Sequence, residues 1–355
     1  MPQRGIITLP KRVSFLSTAS VGGSEEEKGP LGGYLDVTDV GGDDKFATTS
    51  WEAAEGEMQK RALTTAIAKA GLTEHDIDAV FAGDLQNQCV GSNYGLLDFD
   101  IPYFGLYGAC STCAEALILG SVYAAGMGTG PVAAVASSHN CAAERQFRFP
   151  IEYGGQRAPT SQWTVTGAGA FVLSAENTPN APAIVDFLPG RSIDRGINDL
   201  NNMGAAMAPA AIDTLKRYLD ESGRAPDSFD MIITGDLGVE GTRILREFMA
   251  SSGYDIAGVH EDCGLLIYDT EGTDKHAGGS GCGCSATVLS ASILPRMGLS
   301  SGGQSCGGDA CPIPGAKPVR DILFMATGAL MSPASVQQGN NIPGICHLVH
   351  IVSGG

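Results

Sequence analysis

Slid against itself by 152 positions, so that Ala70 meets Ser222, the sequence lays Ala82-Gly-Asp-Leu85 over Thr234-Gly-Asp-Leu237 without a gap. Self-similarity on this scale means one supersecondary unit built twice. Each copy is preceded by an amphipathic helix, predicted over 55–69 in the first and 209–221 in the second, and each enters an apolar strand that stops at Gly-Asp-Leu. The correspondence runs on. Gly108-Ala-Cys110-Ser-Thr-Cys-Ala114 resembles Ser280-Gly-Cys282-Gly-Cys-Ser-Ala286, the strand after Pro131 resembles the one after Pro318, and 168–174 resembles 345–353.

Helix, strand, turn and buried helix in matching order predict a duplicated α/β unit with a pseudo-twofold axis and sheets covered on both faces. Pro and Asn cluster near 177–182, which divides the chain into an N-terminal half over 1–178, carrying Cys110, and a C-terminal half over 179–355. The apolar helices 114–125 and 286–295 lack a charged face and are placed between the two sheets, giving a five-layer αβαβα arrangement. A chain of 355 residues with 17% charged residues has the material for such a core. The stretches 21–44, rich in Gly, Glu and Asp, and 297–317, rich in Gly, Ser and Pro, read as solvated excursions, with a pocket mouth or a subunit contact as the alternative.

A formal net charge of −17 argues against nucleic acid or an anionic membrane surface as a direct partner. No segment reaches the roughly 18 continuous apolar residues of a membrane span, so membrane association is expected only through a partner. Ten cysteines without a signal peptide point to free thiols in a reducing compartment. The spacings Cys282-Gly-Cys284 and Cys306 to Cys311 match zinc knuckles poorly, and no metal is expected.

Around Cys110 the order is an apolar run from Phe104, a glycine, the thiol and a helix-forming stretch, which predicts strand, sharp turn and buried helix. A thiol there meets unpaired N–H groups and a macrodipole that favour the thiolate. A second group, His139, Asn140, Arg145 and Arg148, begins where the strand over 132–136 ends, and ligands in α/β folds collect at such ends. His139 and Asn140 offer hydrogen-bond donors, and the two arginines are the densest positive charge in an acidic chain. Salt bridges from the arginines to Glu144, Glu152 or a partner subunit are the competing reading.

The stretches Gly29-Pro-Leu-Gly32, Phe104 to Ser111, Ser137-Ser-His-Asn140, Thr164-Val-Thr-Gly167, Met207-Ala-Pro-Ala-Ala211, Ala277-Gly-Gly-Ser-Gly-Cys282 and Ala326-Thr-Gly328 follow one another in family order. By these the chain resembles the thiolase superfamily, ketoacyl-ACP synthases included, and more closely the stage V sporulation protein AD family of spore-forming bacteria. The segment 297–317 looks longer than that family's pattern.

The wider resemblance implies a nucleophilic cysteine served by two histidines, or a histidine and an asparagine, from the second half. This chain offers Asp236 and Ser280 there. An aspartate beside the thiol opposes thiolate formation, so the catalytic set is incomplete unless His260 or Cys263 folds toward Cys110 as acid/base. The closer resemblance implies binding of dipicolinic acid, free or as its calcium chelate, for uptake into the developing spore with SpoVA membrane proteins. It also implies a homodimer working at the cytoplasmic face of the sporulating cell or forespore, with no cofactor of its own. Residues expected to hold the ligand are Cys110, His139, Asn140, Asp236, Ser280 and Cys282, with Arg145 a weaker anion partner. The alternatives are an acyltransferase using Cys110 as nucleophile and a purely structural subunit docked on the membrane proteins.

Overall fold

A computed structural model of the chain describes residues 5–128, 130–147, 157–176, 178–299 and 317–354. Arg148, Glu152, Cys306, Cys311 and most of the stretch 297–317 lie outside the described residues. The first half runs β1 (Ile7–Gly22), α1 (Trp51–Lys69), β2 (Val80–Gly83), α2 (Val90–Gly95), β3 (Tyr103–Leu106), α3 (Thr112–Met127), β4 (Val132–Ser138), α4 (Asn140–Phe147) and β5 (Gly167–Ser174). The second runs β6 (Ala183–Leu188), α5 (Met203–Ser222), β7 (Met231–Thr234), α6 (Gly238–Ser251), β8 (His260–Asp262), α7 (Cys282–Val288), β9 (Asp321–Ala329) and β10 (Gly344–Val352).

Hydrogen bonding follows one path, β8-β7-β9-β10-β6-β1-β5-β4-β2-β3. It divides into two five-stranded sets of identical order and sense. In each, two parallel pairings are followed by two antiparallel ones: β3 with β2, β2 with β4, then β4 with β5 and β5 with β1. The second set repeats this with β8, β7, β9, β10 and β6. The sets join edge to edge where β1 pairs antiparallel with β6, so the two expected sheets are continuous at that seam.

Side-chain alternation sorts the core into three parts, since successive strand residues face opposite ways. In β4, Ala133 and Val135 join α1 residues such as Met58 and Leu63 in an outer cluster. Val132, Ala134 and Ala136 face a central cluster that holds α3, α7 and the inner faces of both sets. In β9, Leu323 and Met325 join Leu215 and Leu245 on the other outer side, while Ile322 and Phe324 face the centre. Five layers result, with α3 and α7 in the middle, as helices that lack a charged face require.

Two helices start earlier than their sequences predict. Ser50 accepts from Ala53 N at 3.2 Å and Asn202 from Ala205 N at 3.2 Å, and these side-chain caps set the first turns upstream of 55 and 209. Pro209 therefore lies inside α5 and does not open it.

The stretch 21–44 is a correction. Glu26 is fully buried and accepts from Thr166 N at 3.1 Å and from the Tyr268 hydroxyl, and Leu31 joins the central core. The part around Glu26 and Leu31 packs across both halves, while 40–43 is exposed as a solvated excursion would be.

Candidate functional site

Two backbone corners build the site. After β3 the chain passes Tyr107 and Gly108 and turns at Ala109, whose φ of 53° lies in the left-handed region that a residue with a Cβ seldom occupies. That turn delivers Cys110 to the start of α3. The second corner follows β7, where Gly235 N donates to Met325 O of β9 at 2.8 Å and leaves Asp236 pointing toward the thiol.

Asp236 is the hub. Its Oδ1 accepts from Thr327 Oγ1 at 2.7 Å, and its Oδ2 accepts from Ser280 Oγ at 3.2 Å and Gly281 N at 2.9 Å. Gln162 holds the frame by donating to the backbone oxygens of Asp236 at 2.7 Å and Gly279 at 2.8 Å. Cys110 Sγ lies 4.0 Å from Ser280 Oγ. The helix-terminus expectation of a favoured thiolate is overturned. Burial first, and then the charge and hydrogen bonding of Asp236, raise the Cys110 thiol well above its ordinary range. Asp236 is itself raised by burial, against the hydrogen bonds that favour its charge.

Above the thiol opens a cavity of about 410 Å³. Cys110 and Ser280 form its polar floor with Thr164, while Leu85, Tyr107, Phe147, Met203, Leu330 and Met331 supply apolar wall, and Ser332 and Ser335 line it as well. Among the described lining residues none is basic.

The structure thus brings together Cys110, Asp236 and Ser280, and it places the other anticipated residues elsewhere. His139 is fully buried on the outer side of β4, where its Nε2 meets Asp44 O at 2.7 Å, and burial lowers its pKa. Asn140 braces the first half, its N donating to Thr166 Oγ1 at 3.1 Å and its Nδ2 to Thr164 O at 3.1 Å. Arg145 is exposed, paired with Glu52 at 2.8 Å and stacked over Trp51 at 5.0 Å. The salt-bridge reading therefore describes it, with a partner the sequence did not single out.

Cys282 is closed off in the central core and donates to Ser137 O at 2.8 Å. His260 lies on β8 against Thr234 Oγ1 at 3.0 Å and Arg246 Nε at 3.2 Å; burial, reinforced by the Arg246 charge, lowers it to about 3. Cys263 opens a short helix, Cys263–Ile267, and burial raises its thiol well above the ordinary value. Neither lines the cavity with Cys110.

Sequence reasoning missed Thr327 and Gln162. For Thr327 the signal lies in the strand register, which the repeat alone does not supply. The ladders pair Gly83 with Ala136 and Thr234 with Met325, so Thr327 is the counterpart of Ser137, a hydroxyl at the same place in each half.

A family model described as Stage V sporulation protein AD (SpoVAD) matches residues 4–352 of this chain. Stage V sporulation protein AD of Bacillus subtilis (strain 168) is 40% identical over 332 residues, which cover 93% of this chain and 91% of the relative. Among solved structures, a variant of Xanthomonas campestris OleA with cerulenin superposes with a TM-score of 0.59 at 14% identity, over 98% of each chain. A second OleA variant gives 0.57 at 16% identity, covering 98% of this chain and 99% of that one. At such identity the likeness establishes the thiolase-like fold alone.

Proposed function

The chain belongs to the stage V sporulation protein AD family, and we propose that it binds dipicolinic acid in the cavity above Cys110 and takes part in uptake of that acid into the developing spore. The observation that carries the reading is the cavity itself, a space of about 410 Å³ suited to a small planar ring, with apolar wall and a floor of thiol and hydroxyl groups. The charge of the ligand then matters. The described wall carries no basic side chain, and Asp236 lies one hydroxyl behind the floor. A bare dianion is costly to bury in such a place, whereas the calcium chelate brings its own neutralising charge.

Acyl transfer is the weaker use of the same geometry. With its pKa raised and an aspartate where imidazole or amide is wanted, Cys110 is a neutral thiol without a competent base.

Titration calorimetry with dipicolinate, with and without calcium, tests the reading. We expect heat from the calcium-containing titration, reduced about tenfold in affinity by Ser280→Ala. No heat above a benzoate control in either titration overturns it.

Assembly follows from the sheet edge. Strand β3 ends the sheet, with no further strand paired to its outer edge among the described residues, and Phe104, Leu119, Val122 and Met127 expose apolar surface beside it. A second copy pairing β3 with β3 about a twofold axis satisfies both features. SpoVA membrane proteins then engage the dimer at the membrane from elsewhere on its surface. Sedimentation is expected to give a dimer that Val122→Glu dissociates, and a monomeric wild type would remove this part of the proposal.

A further inference from the structure

The wall of the cavity is held by an arrangement that the floor does not explain. Between β2 and α2, Gln88 and Cys89 are consecutive non-glycine residues with φ of 57° and 54°. Such backbone persists only where its surroundings over-determine it. Gln86 N donates to Asp84 Oδ1 at 2.9 Å and Gln86 Nε2 to Glu55 Oε2 at 2.7 Å, while Cys89 Sγ donates to Leu106 O at 3.0 Å.

The product of that strain is the placement of Asn87. Its Oδ1 accepts from Tyr107 OH at 3.2 Å, its N donates to Gln146 Oε1 at 3.0 Å, and Gln146 Nε2 returns to Leu85 O at 2.9 Å. Leu85, Tyr107 and Phe147, all on the cavity wall, are thereby tied through one polar cluster. Tyr107 is also three residues from the thiol, across the left-handed Ala109.

We propose that Tyr107 is the specificity-determining residue of the cavity, an aromatic wall that selects flat aromatic ligands, and that Asn87 positions it. The inference rests on the cavity being the ligand site of the preceding section and adds the residue that reads the ring. An aromatic face rewards a stacked ring beyond the area buried and gives a puckered ring no such return. A half-exposed tyrosine alone would swing freely; the Asn87 acceptor fixes its plane.

The test compares dipicolinate with its saturated analogue, piperidine-2,6-dicarboxylate, each with calcium, by calorimetry. In the wild type we expect the aromatic acid to bind more tightly. Tyr107→Leu should lower that preference about threefold to tenfold, and Tyr107→Phe and Asn87→Ala, which both keep an aromatic ring but remove the Tyr107–Asn87 hydrogen bond, should each fall between. Equal binding by the wild type, or an unchanged preference in Tyr107→Leu, overturns the proposal.

If neither acid binds, the ligand reading fails by itself, and alkylation of Cys110 decides the role of Tyr107. Peptide mapping then follows N-phenylmaleimide against N-ethylmaleimide. A phenyl preference at Cys110 that Tyr107→Leu removes supports the aromatic wall, and no labelling or no preference refutes it.

Discussion

The two Gly-Asp-Leu corners start from the same backbone and end as opposites. In the second half, Asp236 gathers Thr327, Ser280 and Gly281 and backs onto a cavity. In the first half, Asp84 accepts from Ser92 N and Oγ at 2.7 Å each and from Gln86 N at 2.9 Å, deep beside Glu55 and Gln59. The cysteines differ accordingly. Cys110 lies in the cavity floor, while its counterpart Cys282 is fully buried and spends its thiol on Ser137 O. A duplicated fold thus supplies two potential sites, and side-chain choice fills one and leaves the other open.

The sharpest way to break this contrast is to swap the residue after each cysteine. Ser111 follows Cys110, but Gly283 follows Cys282, and a Cβ at 283 would lie 2.4 Å from Gly167 O and 2.6 Å from Ser138 N. Those are backbone atoms of neighbouring strands and cannot step aside. Gly283→Ser should therefore destabilise by about 3 kcal/mol or prevent folding, read from urea denaturation or soluble yield. Ser111→Gly, which loses the 2.6 Å bond to Gly108 O and gains backbone freedom, should cost about 1–2 kcal/mol. Comparable losses at the two positions would show that both corners are equally packed.

Charge separates the corners next. Burial, reinforced by the charge of Asp84, pushes Glu55 up to about 8, whereas the residue 152 positions on is Met207 and titrates nothing. A raised folded pKa means the native state holds the proton more tightly than the unfolded chain. The stability it contributes is complete below about 4.5 and is lost as pH rises through about 8. Across that window the wild type should lose up to about 1.4 kcal/mol per pH unit from this group. Glu55→Gln keeps one acceptor oxygen, enough for Ser137 or Gln86 but not for both, and should flatten the slope. Asp262 and Glu26, each raised to about 7 by burial, titrate in both proteins and so cancel in the comparison, whereas Asp84, also raised by burial, faces Glu55, so the change in slope is that of the Glu55–Asp84 pair.

How much of this was legible in the sequence depends on which rule governed each residue. The repeat located Cys110, Asp236 and Ser280, because a duplicated turn puts like positions in like places. It equally tempted Cys282 into the site, since matching turns say nothing about which of them is packed shut. Asn140 opens α4 and spends its amide on Thr164 O, while His139 was misplaced because proximity to a strand end was weighed and strand parity was not. Ala133, Val135 and Ser137 all face α1, where Ser137 Oγ reaches Glu55 Oε1 at 3.0 Å, and the next odd residue, His139, continues on that side. Tyr107 lies inside the quoted stretch Phe104 to Ser111, but its place on the cavity wall beside Phe147 comes from long-range packing that no local pattern encodes.

Thiol chemistry should sharpen the contrast on a smaller scale. Iodoacetamide should alkylate Cys110 slowly and Cys282 not at all, because both thiols are raised but only one meets the cavity. Asp236→Asn removes the charge that adds to burial in raising Cys110, so its alkylation at pH 8 should accelerate about tenfold for each unit the thiol falls. Peptide-resolved mass spectrometry would give the answer, and acceleration at both cysteines would mean general loosening in place of a local charge effect.

The smallest effect is expected where the sequence concentrates positive charge. Arg145 invites an anion-binding role, yet in the fold it stands on the outer side of the first half, pairing Glu52 and covering Trp51. Both contacts are largely in solvent, which limits the ion pair to at most about 1 kcal/mol. Arg145→Gln should therefore shift stability by no more than that and leave dipicolinate affinity within twofold, measured by the same calorimetry. Its effect should also shrink as salt rises from about 0.05 to 0.5 M, because exposed pairs are screened. A tenfold loss of affinity in Arg145→Gln would put the ligand at the strand end of β4, on the closed half, and would reverse the assignment of the open corner as the working one.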